Sequence, residues 1–191
     1  MQVGGAGLFA VHLEIDGKPA TERADGGHLH AALGIERRIA DRYSLGIEGR
    51  FGTWDSTLSR RAQGSDGGLR WGGDAVFRLY MPTAINMSAV VAVAAGLTWP
   101  HMLDRPTRAV TESWQGRLGW NAGVDVGGEN WFQLARAPVA WAAAFSLGYA
   151  IHAMTLDGRF TPVSEPAAAA SARYRYLTHE FLLKMTLLVG S

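Results

Sequence analysis

Four polar residues in the first thirty have side chains that bind transition metals. If residues whose numbers sum to 42 pair across a first hairpin, His12 faces His30 and Glu14 faces His28. Imidazoles with a carboxylate would suit zinc or copper. The plainer reading is that these groups line a wet mouth, so no metal and no other cofactor is expected. A second set is larger, with Glu14, Glu36, Glu48, Asp74, Asp125 and Glu180 as acids and Arg50, Arg70, Arg78, Arg117 and Lys184 as bases. These share the more polar side of segments that alternate residue by residue. Near-equal numbers of opposite sign on one enclosed face predict a network of ion pairs, because an unpaired charge in a closed interior is costly. The chain has no cysteine, which excludes thiolate sites and cysteine nucleophiles. No Ser-His-Asp arrangement, phosphate loop or paired-carboxylate motif is legible, so the chain does not read as an enzyme.

The segments that position these charges alternate with period two. Eight of them, separated by stretches rich in Gly, Asp, Pro and Ser, cover about 3–15, 28–39, 43–54, 69–81, 88–99, 114–126, 138–152 and 172–189. The fourth is the cleanest: Leu69, Trp71, Ala75, Phe77, Leu79 and Met81 oppose Arg70, Asp74, Val76, Arg78 and Tyr80. In "RYSLGIEGRFGTW", Tyr43, Leu45, Ile47 and Phe51 oppose Ser44, Gly46, Glu48 and Arg50. Such segments are at least twice the roughly 5 to 6 residues of an ordinary strand. They are long enough for the about 9 to 11 residues that cross hydrocarbon at a tilt. Connections also alternate, long and polar at 16–27, 55–68, 100–113 and 153–171, short at 40–42 and 82–87. Outer-membrane barrels show that asymmetry. The connection from Gly127 to Ala137 is too long for a tight turn. It reads as one turn of interfacial helix, with Trp131, Phe132 and Leu134 against lipid.

Composition narrows the class. Hydrophobic residues make up 48% and charged residues 18% of 191, yet no run approaches the roughly 20 apolar residues of a membrane helix. Net charge is +1 with the arginines scattered singly, so no nucleic-acid partner is expected. The opening "MQVGGAGLFA" lacks a basic start and a cleavage site, and reads as a mature form with an added or residual Met1. The predicted fold is all-β: an eight-stranded antiparallel up-and-down transmembrane β-barrel, one domain over residues 1–191. A spanning sheet must close on itself. At eight strands its lumen is filled by side chains. Large apolar residues then face lipid, with Tyr43, Trp71, Trp99, Trp114 and Trp141 as the aromatic girdle.

On "YSLGIEGRFG", "LRWGGDAVFRLYM" and the last strand "HEFLLKMTLLVG", the chain resembles the small eight-stranded outer-membrane barrels of Gram-negative bacteria. That group includes the OmpA transmembrane domain, OmpX and OmpW. The likeness runs from about Val3 to Val189 and departs at the end, Leu188-Val189-Gly190-Ser191, where such barrels usually finish on an aromatic residue. It implies location in the bacterial outer membrane with both termini periplasmic, and contact with outer-membrane lipid or lipopolysaccharide and with other envelope proteins. The role it implies is structural or binding, through long extracellular loops or as an accessory subunit, with the lumen plugged by salt bridges. OmpW-like barrels suggest the alternative of a channel for small or hydrophobic solutes. Lipid A-modifying barrels use a His-x-Ser pair on the outer face. Here His179 and Ser171 are eight residues apart, so catalysis is not expected.

Overall fold

Period-two alternation yields eight long strands: β1 Gln2–Ile15, β2 Gly27–Ala40, β3 Tyr43–Asp55, β4 Gly67–Ala84, β5 Met87–His101, β6 Val110–Gln133, β7 Ala140–Pro162 and β8 Ala170–Gly190. The computed structural model describes residues 2–20, 27–55, 67–102, 105–106, 108–133 and 139–190. Each long strand pairs antiparallel with the next, and β8 returns to β1, with Gln2 opposite Thr186, so the sheet closes into an eight-strand ring. Two short strands add to it: Lys18–Ala20 folds back on β1 and Arg105–Pro106 lies against β6. Among the described residues no helix is long and apolar enough to cross a membrane.

The outer face carries Leu33, Ile35, Leu45, Ile47, Val93, Leu147 and Leu183, all exposed. A belt of that extent is a surface that only lipid solvates without cost. The inner face buries Ser44, Arg70, Asp74, Asn121, Thr178 and Glu180. The two sides of "RYSLGIEGRFGTW" are thus inside out relative to a soluble strand.

Several segments differ from expectation. β6, β7 and β8 run to 24, 23 and 21 residues, about twice what a crossing of bilayer hydrocarbon needs. Ala153–Pro162, read as loop, is strand paired with β6 and β8. The stretch from Gly127 is strand as well, with Gly127 opposite Ser146 and Gln133 opposite Ala140, in place of the interfacial helix. Alternation persists through it, turning Glu129 and Trp131 inward and Phe132 outward. Leu134 lies outside the described residues. After β1 the chain turns at once, because Asp16 (φ 51) and Gly17 (φ 78) adopt the left-handed pair that a type I′ hairpin requires.

Two bulges within the long strands set which way side chains point, and two further register shifts, at Arg38/Ala40 and Pro82/Ala84, lie beside the short turns. One of the two bulges lies in β1 between Leu8 and Ala10, the other in β6 between Arg117 and Trp120. An extra residue reverses the face of everything beyond it.

Near the second bulge β5 and β6 nearly touch. A Cβ added at Gly116 would overlap the Pro100 carbonyl oxygen. Gly116→Ala should therefore cost about 1–3 kcal/mol by overpacking, read as a lower urea midpoint for the barrel in detergent. An unchanged midpoint would contradict so close an approach.

Candidate functional site in the barrel lumen

The lumen is crossed by charge. β4 supplies inward residues at every second position, Arg70, Asp74, Arg78 and Tyr80, and each meets a partner from another strand. Arg70 forms a two-pronged pair with Glu180 of β8, at 2.6 and 3.0 Å. β4 and β8 stand opposite each other in the ring, so this bond spans the barrel. Glu180 also accepts from Thr178 Oγ1 at 3.4 Å, and His152 Nε2 of β7 lies 3.3 Å from its carboxylate. Arg50 of β3 pairs with Asp74 at 2.5 Å, and Asn121 of β6 donates to the same carboxylate at 2.8 Å. Arg78 joins Glu36 of β2 and, at 2.5 Å, Glu48 of β3. Lys184 of β8 reaches Asp125 of β6 at 2.6 Å.

A second opposite-strand brace closes the short-turn end. Arg38 of β2 pairs with Glu129 of β6 at 3.2 Å, its guanidinium 4.2 Å from the centre of the Tyr80 ring. The Trp131 indole also donates to Glu129. Tyr80 donates to Glu36 at 2.5 Å and accepts from Ser44 at 3.3 Å. At the long-loop end the inward side chains become apolar. Met102, Met154, Leu156, Tyr174 and Tyr176 form a buried cluster, with Ile15, Trp114, Phe160 and Ala172 against it.

Among the described residues the space between these layers is broken up. A cavity of about 60 Å³ lies among Glu48, Arg50, Asp74, Arg78, Asn121 and Asp125. One of about 20 Å³ lies beside His30, Arg70, His152 and Glu180. At roughly 10–15 Å³ of such volume per water, each holds only a few.

Two charges expected in the lumen are elsewhere. Glu14 lies beyond the β1 bulge and Arg117 beyond the β6 bulge, and both point outward. Arg117 pairs there with Asp157 at 2.5 Å, and Glu14 faces Arg175 at 3.9 Å. Arg38 and Glu129 take their places inside, so six acids still face five bases. Trp114 is the corresponding correction to the girdle. It points inward, its ring 5.4 Å from Tyr174 and 5.5 Å from Phe160. Tyr43, Trp71 and Trp99 are exposed on the outer face. Trp141, opposite Val189 and Phe132, is on that face too.

The metal candidates do not meet. The first hairpin pairs His30 with Gly4 and His28 with Ala6, a register eight residues from the assumed one, because the turn at Asp16 and Gly17 draws only the top of β1 into its own short hairpin. His12 lies opposite Leu177 on the outer face, its ring 5.6 Å from that of His179. No group of three or more metal-ligating residues is present among the described residues. His179 is bonded to the Tyr149 hydroxyl at 2.7 Å. Eight residues of strand at about 3.3 Å each separate it from Ser171, so the two form no catalytic pair.

No protein-family model matches the chain, and no curated protein matches it. A solved structure does: the outer membrane protein OprG from Pseudomonas aeruginosa, with a TM-score of 0.55 over 98% of this chain and 94% of that one. The fold is that of a small outer-membrane β-barrel. At 10% identity the likeness lies in the ring of strands and its closure, and this barrel's lumen has to be read from its own residues. Of those, Tyr80 reads from the sequence as lying on the polar side of its strand, but it, Arg38, Glu129 and His152 are absent from the charge network that the sequence predicts. All have the inward parity of their strands, and only their positions near assumed strand ends hid them.

Proposed function

We propose that the protein resides in the bacterial outer membrane as a non-conducting barrel with a structural or binding role. On this reading the termini and the short turns are periplasmic and the tall β6–β8 wall is extracellular. The role is exercised through the extracellular side or as an accessory subunit of an envelope complex. The observation that carries the reading is the Arg70–Glu180 pair joining opposite strands, since a bridge of that kind must break before a solute can pass. In planar bilayers the wild-type barrel should give no steady current, and a large one would refute the plug. A second reading has one observation in its favour. The Met102, Met154 and Tyr176 cluster offers an apolar lining at the long-loop mouth, which suits entry of a small hydrophobic molecule. Saturable uptake of such a molecule into liposomes carrying the barrel would favour that reading.

A further inference from the structure

Above the apolar belt, the outer face of β6, β7 and β8 changes character within one row of residues. The register stacks Trp120, Ala153 and Leu177 in one row. The rows above it read Arg117, Thr155, Arg175, then Gln115, Asp157, Arg173, then Ser113, Arg159, Ser171. Trp99 fixes the height of this change. It is an exposed outer-face tryptophan, and its indole donates to the Gly116 carbonyl at 3.0 Å, beside Arg117. Tryptophans of this kind sit at headgroup level. The four arginines therefore begin where the hydrocarbon ends.

We propose that this face binds the phosphate groups of a phosphorylated glycolipid in the outer leaflet, with Arg117 and Arg173 as its anchor. The two guanidiniums share one carboxylate. Arg117 Nε is 2.5 Å from Asp157 Oδ2, and Arg173 Nε is 2.8 Å from Asp157 Oδ1. Both pairs use Nε, so the terminal Nη edges of both guanidiniums remain for a ligand, and that fork matches phosphate oxygens. Asp157 offsets the repulsion between the two cations and leaves a net positive charge. The hydrogen bond from Arg173 holds its carboxyl below the usual carboxylate range against the opposing effect of burial, and Arg117 adds to this. The clamp thus stays charged in mild acid.

Arg159 makes no ion pair among the described residues, and Arg175 has only the 3.9 Å contact with Glu14. An open groove of about 640 Å³ runs over Asp16, Gly17, Asp157, Ser171, Arg173 and Arg175, and the Asp16 carboxylate in it accepts from the Arg173 backbone N–H at 2.8 Å. Cations directly above a lipid belt select a ligand with phosphates at its head and acyl chains below, which free phosphate does not offer.

The inference rests on the outer-leaflet placement proposed above. Its test uses the whole barrel in detergent micelles with bisphosphorylated lipid A as the probe, read by native mass spectrometry. Wild type should bind this lipid at least about tenfold more tightly than the same lipid with its phosphates removed. The double variant Arg117→Gln with Arg173→Gln should lose about tenfold or more, while its heat-modifiable gel shift shows that it is folded. Equal affinity for the two lipids, a double variant that binds like wild type, or competition by millimolar inorganic phosphate as strong as by the lipid would each overturn the proposal. Current across a planar bilayer reports on the plug alone, so either reading can fail without the other.

Discussion

Glu180→Leu should destabilise the barrel by about 3–5 kcal/mol, the usual cost of stranding one half of a buried ion pair. The Glu180 side chain is 1% exposed and that of Arg70 9%. With the carboxylate gone, the guanidinium stays in a lumen whose other acids are engaged: Asp74 with Arg50 and Asn121, Asp125 with Lys184, Glu36 and Glu48 with Arg78. His152 cannot substitute, since it offers no negative charge. Arg70→Met should be comparably harmful for the converse reason. Combining Arg70→Met with Glu180→Leu removes both charges and puts apolar side chains in their volume, so most of the loss should return. The remaining deficit is the lost hydrogen bond from Thr178 to Glu180, about 1 kcal/mol, and the lost contact with His152. Urea unfolding of the three variants in the same detergent measures this. A double variant no more stable than the worse single one would mean that the pair does not hold opposite walls together.

How much of this could be read from the chain depends on where the pairing is regular. β3, β4 and β5 pair residue for residue through the membrane, Tyr43 opposite Leu79 and Trp71 opposite Trp99, so parity alone places Glu48, Arg50, Asp74 and Arg78 inside. The errors collect above the two bulges. A bulge adds one residue without changing composition, and the strand on either side still alternates, only in opposite phase. In β1 the bulge falls within "GAGLFAV", where small and apolar residues give no contrast between faces. His12 and Glu14 beyond it were therefore given the wrong face. In β6 the same shift exchanged Trp114 with Arg117, and only their partners on β7 and β8 reveal it: Phe160 and Tyr174 for the tryptophan, Asp157 for the arginine. One missed signal was local. Asp16-Gly17 directly after Ile15 is a strong two-residue hairpin sequence, and heeding it would have paired the top of β1 with residues 18–20 and removed the register that brought four metal candidates together. Glu129 depends instead on strand length, which turn-like residues near Gly127 concealed.

The outer face gives the second large effect. Ile47 lies in the middle of β3, opposite Ile35 on one side and Ala75 on the other, and is 61% exposed. In a soluble protein an arginine at so open a position would be nearly neutral. In a bilayer it should cost about 2–4 kcal/mol, the penalty for a cation on the lipid face near the midplane, because no acid lies on that face within the row to meet it. Ile47→Arg should therefore assemble poorly into vesicles and unfold at a lower urea concentration than wild type, most sharply in thick bilayers where the side chain cannot reach the headgroups. Three residues away, Ser44 is fully buried and donates to Tyr80. Tyr80 keeps its bond to Glu36 when that hydroxyl is removed, so Ser44→Ala should lose no more than about 1 kcal/mol. For a protein in water the ranking would run the other way, with the buried polar site sensitive and the exposed one tolerant. Measuring both variants in the same vesicles therefore identifies the solvent of each face, and an arginine at position 47 milder than an alanine at position 44 would reject the inside-out assignment of the barrel.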